Sequence, residues 1–193
     1  YDYESMFHEP MVLFGYLAAL TTRIEFATGI LILPQRQTVL VAKQAAEVDV
    51  LSSGRLRLGV GVGWNPVEYE ALGEGFHTRG KRQAEQVTLL RELWTQRLVD
   101  FSGRFDRVPD AGLHPLPIQR PIPIWFGGGA DATLRRMARL GDGWMPNSQP
   151  LDQLASRLET LRALIRAAGR DPAAFGVDVR IDMGRTGEAD WPM

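Results

Sequence analysis

Arg57-Leu-Gly-Val-Gly-Val-Gly-Trp64 decides how the rest of the chain is read. From Leu56 to Val62 the residues are nearly all apolar, the pattern of a short strand buried on both faces, as in a parallel sheet. Its glycines leave the main chain bare at the strand's end, so a flat ring or a phosphate can approach backbone N–H groups. A second glycine cluster, Trp125-Phe-Gly-Gly-Gly129, lies downstream. Two strand ends of this kind, each followed by a helix, predict a binding cradle at one face of a parallel α/β sheet.

The flanking segments extend that pattern. Pro10 to Leu20 predicts a buried helix closed by Thr21-Thr22-Arg23, and Ile24 to Pro34 a single strand ended by its proline. Gln37 to Leu51 is helical, with Leu40, Val41, Gln44, Ala45, Val48 and Leu51 at steps of three and four, and Ser52-Ser-Gly54 stops it. Residues 64–79 predict a loop or short helix. Lys81 to Arg97 predicts an amphipathic helix with Val87, Leu90, Leu93 and Trp94 on one face. Residues 98–121, rich in proline, read as an irregular insertion holding a short hairpin over Leu98 to Val108.

Beyond the insertion, Ile122 to Phe126 and Gly143 to Pro146 predict strands, with a helix from Asp131 to Leu140 between them. Pro150 to Ala168 is a helix with Leu151, Leu154, Leu158, Leu161 and Ile165 on one face and Gly169 as its stop. Val177 to Asp182 alternates like a strand with one wetter face, and residues 184–193 read as a frayed tail. Alternating helices and strands mean a parallel sheet with crossover helices, either an open doubly wound sheet or a (β/α)8 barrel. Five strands are countable, and a complete barrel takes roughly 250 residues. A closed barrel therefore requires strands outside this chain. Residues 1–193 are expected to form one partial domain.

Composition narrows the function. The 193 residues are 45% hydrophobic and 23% charged, ordinary for a soluble globular chain with one sizeable core. The net charge of −1 and the lack of a basic stripe with interleaved aromatics argue against a nucleic-acid partner. Cysteine is absent, which excludes disulfides, thiolate metal sites and a cysteine nucleophile. No apolar run is long enough to span a bilayer and no signal peptide is evident, so a cytoplasmic location without membrane contact is expected. The start at Tyr1, in loop-like sequence, suggests a fragment.

The obvious glycine motif fails its own test. A dinucleotide fingerprint needs G-x-G-x-x-G with a helix opening at once. Counting from Gly59 the sixth position is Trp64, and from Gly61 it is Pro66. No Walker-type phosphate loop and no G-x-S-x-G elbow is present. His8, His77 and His114 are widely separated, so no metal site is expected. Arg135, Arg136 and Arg139 read as the solvated face of their helix.

Several stretches occur together in order: Thr28-Gly-Ile-Leu-Ile-Leu-Pro34, Val41-Ala-Lys-Gln-Ala45, Asp49-Val-Leu-Ser-Ser-Gly-Arg55 and Leu58-Gly-Val-Gly-Val-Gly-Trp64. Glu70-Ala-Leu-Gly73, Arg79-Gly80, Leu90-Arg-Glu-Leu-Trp94, Pro123-Ile-Trp-Phe-Gly-Gly-Gly129 and Leu140-Gly-Asp-Gly-Trp-Met-Pro146 follow. Over roughly residues 10–170 this series resembles the bacterial luciferase-like monooxygenase superfamily, most of all its F420-dependent oxidoreductases. The resemblance implies a (β/α)8 TIM barrel of which strands three to seven lie in this chain, with the cofactor at the C-terminal ends of the strands, where barrel sites lie.

The resemblance also implies roles for individual residues. A non-prolyl cis peptide is expected at Gly29-Ile30, or a neighbouring bond, forming a bulge behind the cofactor's central ring. Gly61, Val62, Gly63, Trp64 and Asn65 match the fourth-strand end beside that ring. Trp64 reads equally as a lid or a core aromatic, and Asn65 as a cofactor ligand or a helix cap. Gly127, Gly128 and Gly129 match the loop that holds the cofactor phosphate, at the start of a helix whose N-terminus favours an anion. Asp131 is expected to face away from that loop as a cap, while Trp144, Met145, Pro146 and Asn147 could wall the pocket. A carboxylate that sugar-phosphate dehydrogenases of this superfamily place after the fourth-strand glycines is replaced here by Trp64, which disfavours such substrates.

The function implied is an F420-dependent oxidoreductase moving a hydride to or from a small organic substrate, and family likeness suggests a homodimer. The alternatives are an FMN-dependent monooxygenase using molecular oxygen and a non-catalytic or truncated cofactor-binding domain. The catalytic acid or base expected after the second strand would precede Tyr1.

Overall fold

The computed structural model describes residue 4 and residues 6–179. Glu9 caps the first helix, α1 (Pro10–Leu20), its carboxylate accepting the Val12 N–H at 2.9 Å. Only Met11 and Ala18 of α1 are buried, while Val12, Tyr16 and Leu20 face out, so the expected buried helix is half exposed.

The expected single strand over Ile24–Pro34 is two: β1 (Phe26–Ala27) and β2 (Leu31–Ile32), with Pro34 in a 3-10 turn beyond them. After the second helix, α2 (Thr38–Leu51), comes β3 (Leu56–Gly61), which pairs in parallel with both. Phe26 and Ala27 lie opposite Leu56 and Arg57, and Leu31 and Ile32 opposite Val60 and Gly61. Three residues, Thr28, Gly29 and Ile30, thus intervene on one strand against Leu58 and Gly59 on the other. This extra residue is a β-bulge, which re-aims the chain at a sheet's rim. The buried Thr28 hydroxyl donates to the Gly59 carbonyl at 2.7 Å inside the gap. Periodicity cannot reveal such an insertion, because the residues on either side remain apolar.

Helix α3 (Pro66–Ala71) and the long α4 (Arg79–Thr95) follow. Val41, Ala42 and Ala45 of α2 and Leu89, Leu90, Leu93 and Trp94 of α4 are buried, and the Trp94 indole N–H donates to the Ala42 carbonyl at 3.0 Å. Of the apolar positions expected on α2, Val41, Ala45 and Val48 are buried, whereas Leu40 and Leu51 are exposed. Arg55 ties α1 to the sheet: its guanidinium donates to the carbonyls of Thr21 at 2.8 Å, Ile24 at 2.6 Å and Ser52 at 2.6 Å. Backbone carbonyls at a helix end favour a cation in this way.

The insertion holds the expected hairpin, β4 (Val99–Ser102) against β5 (Arg107–Ala111), antiparallel. Glu85 of α4 pins its turn, accepting the N–H groups of Arg104, Phe105 and Asp106 at 2.8, 2.7 and 2.9 Å. Farther on, the buried Asp49 carboxylate accepts the Gln119 backbone N–H at 2.9 Å and its side-chain amide at 2.7 Å.

The chain divides into two compact units, Tyr1–Ile124 and Trp125–Met193. In the second, β6 (Ile124–Gly127), β7 (Gly143–Met145) and β8 (Gly176–Val177) pair in parallel in that order. Helix α5 (Asp131–Leu140) joins β6 to β7, and α6 (Leu151–Ala167) joins β7 to β8. A Cβ on Gly143 or Gly176 would fall on the Trp125 ring, so glycine at both positions lets the indole lie against the sheet. Gly169, at φ 73°, closes α6: its N–H reaches the Arg166 carbonyl at 2.9 Å and that of Arg170 reaches Ile165 at 3.1 Å, the Schellman arrangement. The strand expected over Val177–Asp182 starts at Gly176; Gly176 and Val177 pair with Gly143 and Trp144, and the Asp178 N–H donates to the Trp144 carbonyl at 3.0 Å. Residues 180–182 and the tail from 184 lie outside the described residues.

Candidate functional site

In the first unit, the end of β3 and the bulge opposite it gather the candidate residues Gly29, Ile30 and Gly61–Asn65. The Gly29–Ile30 peptide is cis, at the bond expected from sequence. Gly29 is exposed, and a Cβ built on it would meet nothing within 4 Å. Ile30 instead folds across the bare backbone of Gly61, where a Cβ would collide with its Cδ1. One step along, a Cβ on Gly63 would come within 3.0 Å of Ile32 Cγ2, and Gly63 itself is at φ 64°, a conformation that favours glycine. Both glycines are thus closely approached by a branched side chain, and the strand end presents main chain beside two isoleucines.

Trp64 is 83% exposed, so it is not the core aromatic that was one of its two readings. Asn65 caps α3: its side-chain oxygen accepts the Val67 N–H at 3.1 Å, and its amide lies 3.2 Å from Glu68. That is the capping alternative. Tyr69, which the sequence reading did not single out, is 1% exposed and donates its hydroxyl to the Val62 carbonyl at 2.6 Å. Burial pushes its phenol up to about 12, against smaller opposing effects of Arg79 and Arg82. Nothing local in the sequence marks this bond, since a helix must fold back on the strand end before the two atoms can meet.

In the second unit, Gly127 ends β6, and Gly128 and Gly129 lead into α5. Gly128 is at φ 88° with open space where a Cβ would stand. Among the described residues, the backbone N–H groups of Gly128, Gly129 and Ala130 take no hydrogen bond. These bare amides stand before the N-terminus of a ten-residue helix, a combination that suits an anion. The Trp144 indole, wholly buried, donates to the Gly128 carbonyl at 2.6 Å. Trp144 therefore supports the loop from behind instead of walling a pocket. Asp131 is not the cap, which is Ala130; its carboxylate pairs with Arg157 at 2.5 Å. The residues present fit a ring against the first strand end and a phosphate at the second, each on its own geometry.

Elsewhere, His8, His77 and His114 are exposed, and no cluster of three metal-ligating side chains exists among the described residues. No helix among them is long and apolar enough to cross a membrane.

Comparison with known proteins follows the same lines. A family model described as luciferase-like monooxygenase matches residues 1–188. An uncharacterized protein of Mycobacterium tuberculosis is 44% identical over 159 residues, 81% of this chain and 54% of that protein. The FMNH2-dependent dimethylsulfone monooxygenase of Pseudomonas putida is 33% identical over 166 residues, 84% of this chain and 46% of that enzyme. The chain thus spans about half the length of the curated relatives it matches. Among solved structures, an F420-dependent secondary alcohol dehydrogenase in complex with an F420-acetone adduct superposes with a TM-score of 0.83 at 22% identity, over 93% of this chain and 56% of that one. The fold is that of the α/β luciferase-like TIM barrel, of which this chain carries part.

Proposed function

The chain belongs to the luciferase-like monooxygenase family, and from that premise we propose that it serves an F420-dependent oxidoreductase acting on a small organic substrate. The observation that carries this reading is the bare strand end Gly61–Gly63, where Ile30 and Ile32 occupy the space that side chains would need. A flat ring can lie on such a surface of main chain and branched aliphatic groups, which shields one of its faces and excludes water from it. Ile30, Gly61 and Gly63 would bear the ring, with the Val62 backbone beside it. In the second unit, the amides of Gly128 and Gly129 would hold a phosphate. When bound, reduced F420 supplies a hydride to an activated C=C, C=N or C=O bond, or the oxidised form accepts one. The chain's own part is orientation and shielding.

A second reading uses FMN and molecular oxygen. It draws support from the dimethylsulfone monooxygenase relative.

Titration of the purified protein with F420 and, separately, with FMN, followed by cofactor fluorescence, distinguishes the two. The expected result is tighter binding of F420, weakened at least tenfold by Gly129→Asp, which places a negative charge at the unpaired amides. Position 129 suits this test because a Cβ there meets only Trp144, at 4.0 Å, whereas Gly128 has a backbone that other residues adopt under strain. Tighter binding of FMN would move the assignment to the monooxygenase reading. Binding of neither would overturn both.

A further inference from the structure

We propose that Tyr69 is a positioning residue that fixes the strand end Val62–Asn65 through its hydroxyl, without touching a ligand itself. As a statement about cofactor binding this rests on the reading given under the proposed function; as a statement about the strand end it does not.

The segment leaving β3 has little to hold it. Gly63 is at φ 64° and, as glycine, has access to many other conformations. A side chain added there would crowd Ile32 and strain the backbone. Trp64 is exposed and packs on no other ring among the described residues. Two hydrogen bonds bracket this segment. On one side Asn65 caps α3 through the Val67 N–H. On the other, the Tyr69 hydroxyl reaches back seven residues to the Val62 carbonyl at 2.6 Å. Together they close Val62 to Tyr69 into a loop whose geometry follows from where α3 lies.

The phenol is itself held. Its ring meets that of Phe76 edge-on, with centroids 5.5 Å apart, and the Arg79 guanidinium covers Phe76 at 3.8 Å. A phenol keeps its proton near neutral pH, and burial pushes this one further up, to about 12, so the donor is present. Replacing it leaves the Val62 carbonyl without this partner while the ring still fills its place. A group that only packed would need no hydroxyl here. The bond lands on the same segment whose backbone is proposed to lie beside the cofactor ring.

Tyr69→Phe tests this, with Phe76→Leu as the control that loosens the same packing but keeps the hydroxyl. Amide hydrogen exchange, which needs no cofactor, is expected to quicken about tenfold at Val67, whose N–H the Asn65 side chain holds, in Tyr69→Phe and to stay near wild type in Phe76→Leu, the size expected for loss of one buried hydrogen bond. Binding of whichever of F420 or FMN the wild type takes up is expected to weaken about fivefold or more in Tyr69→Phe alone, with a changed visible circular dichroism of the bound ring. Replacement of Tyr69 by p-aminophenylalanine, which keeps a donor at the same place, restores both. Unchanged exchange at Val67 in Tyr69→Phe, or equal changes in the two variants, overturns the proposal. Quickened exchange in a protein that binds neither cofactor sustains the role of Tyr69 at the strand end and removes the cofactor reading instead.

Discussion

Two glycines show why a small residue can be required for different reasons. At Gly61 a Cβ would strike the far end of the Ile30 side chain, which can turn away. At Gly143 it would fall on the rigid Trp125 indole, which is buried and cannot yield without moving the sheet. Overpacking typically costs 1–3 kcal/mol, so Gly61→Ala is expected near the lower end, at about 1 kcal/mol, and Gly143→Ala at about 3 kcal/mol or above. Urea denaturation of both variants checks the order; equal losses would contradict it. Sequence alone singled out Gly61 through its cluster. Gly143 stands in a strand and in the Leu140–Pro146 stretch, but nothing local marks why it must be small, because the indole that crowds it lies eighteen positions earlier in the chain.

Among the elements, strong periodicity was legible and local irregularity was not. α1 begins and ends at the residues expected, and α2, α4, α5 and α6 lie within two residues of them, because apolar spacing, capping residues and glycine stops agree there. The run Ile24–Pro34 forms two strands where its pattern predicts one, because nothing in an apolar run signals an inserted residue. The insertion at 98–121 was read as irregular with a hairpin, and the structure shows what orders it: the Glu85 carboxylate gathers three consecutive amides of the β4–β5 turn. Hydrogen bonds to a charged group contribute about 1.5–3 kcal/mol each at most, and they overlap when one group accepts all three. Glu85→Ala is therefore expected to destabilise the protein by about 2–4 kcal/mol and to raise hydrogen exchange first at Arg104–Asp106. An exchange pattern that changes evenly over α4 and leaves the turn alone would show that the turn does not depend on Glu85.

At the scale of the whole molecule, stability and pH are linked through Tyr69. Its folded-state value, about 12, lies above the ordinary 10 of an exposed phenol because burial disfavours the anion. A group whose value is raised on folding stabilises the protein fully below its unfolded value, and that contribution is lost as pH rises through the folded one. The stability advantage of the wild type over Tyr69→Phe should thus be constant below pH 10 and shrink between 10 and 12. Denaturant titrations at pH 8, 10 and 11 measure it; an advantage that does not shrink would assign the alkaline loss to other groups.

The sequence by itself determined the alternation of helices and strands, the parallel sheet and the bare glycine backbone at two strand ends. These are local properties: a buried strand, a helix face and a glycine each carry their physical signature within a few residues. The luciferase-like family model matches residues 1–188, the stretch that holds those ordered motifs. Tertiary structure decided which side chains stand against those glycines. Ile30 over Gly61, Tyr69 on Val62 and Trp144 on Gly128 join atoms that local pattern does not associate. It also decided that Asn65 is a cap, that Trp64 faces solvent and that Asp131 pairs with Arg157. The physical reason is that hydrogen bonds and close packing depend on distances fixed only when the elements are folded together.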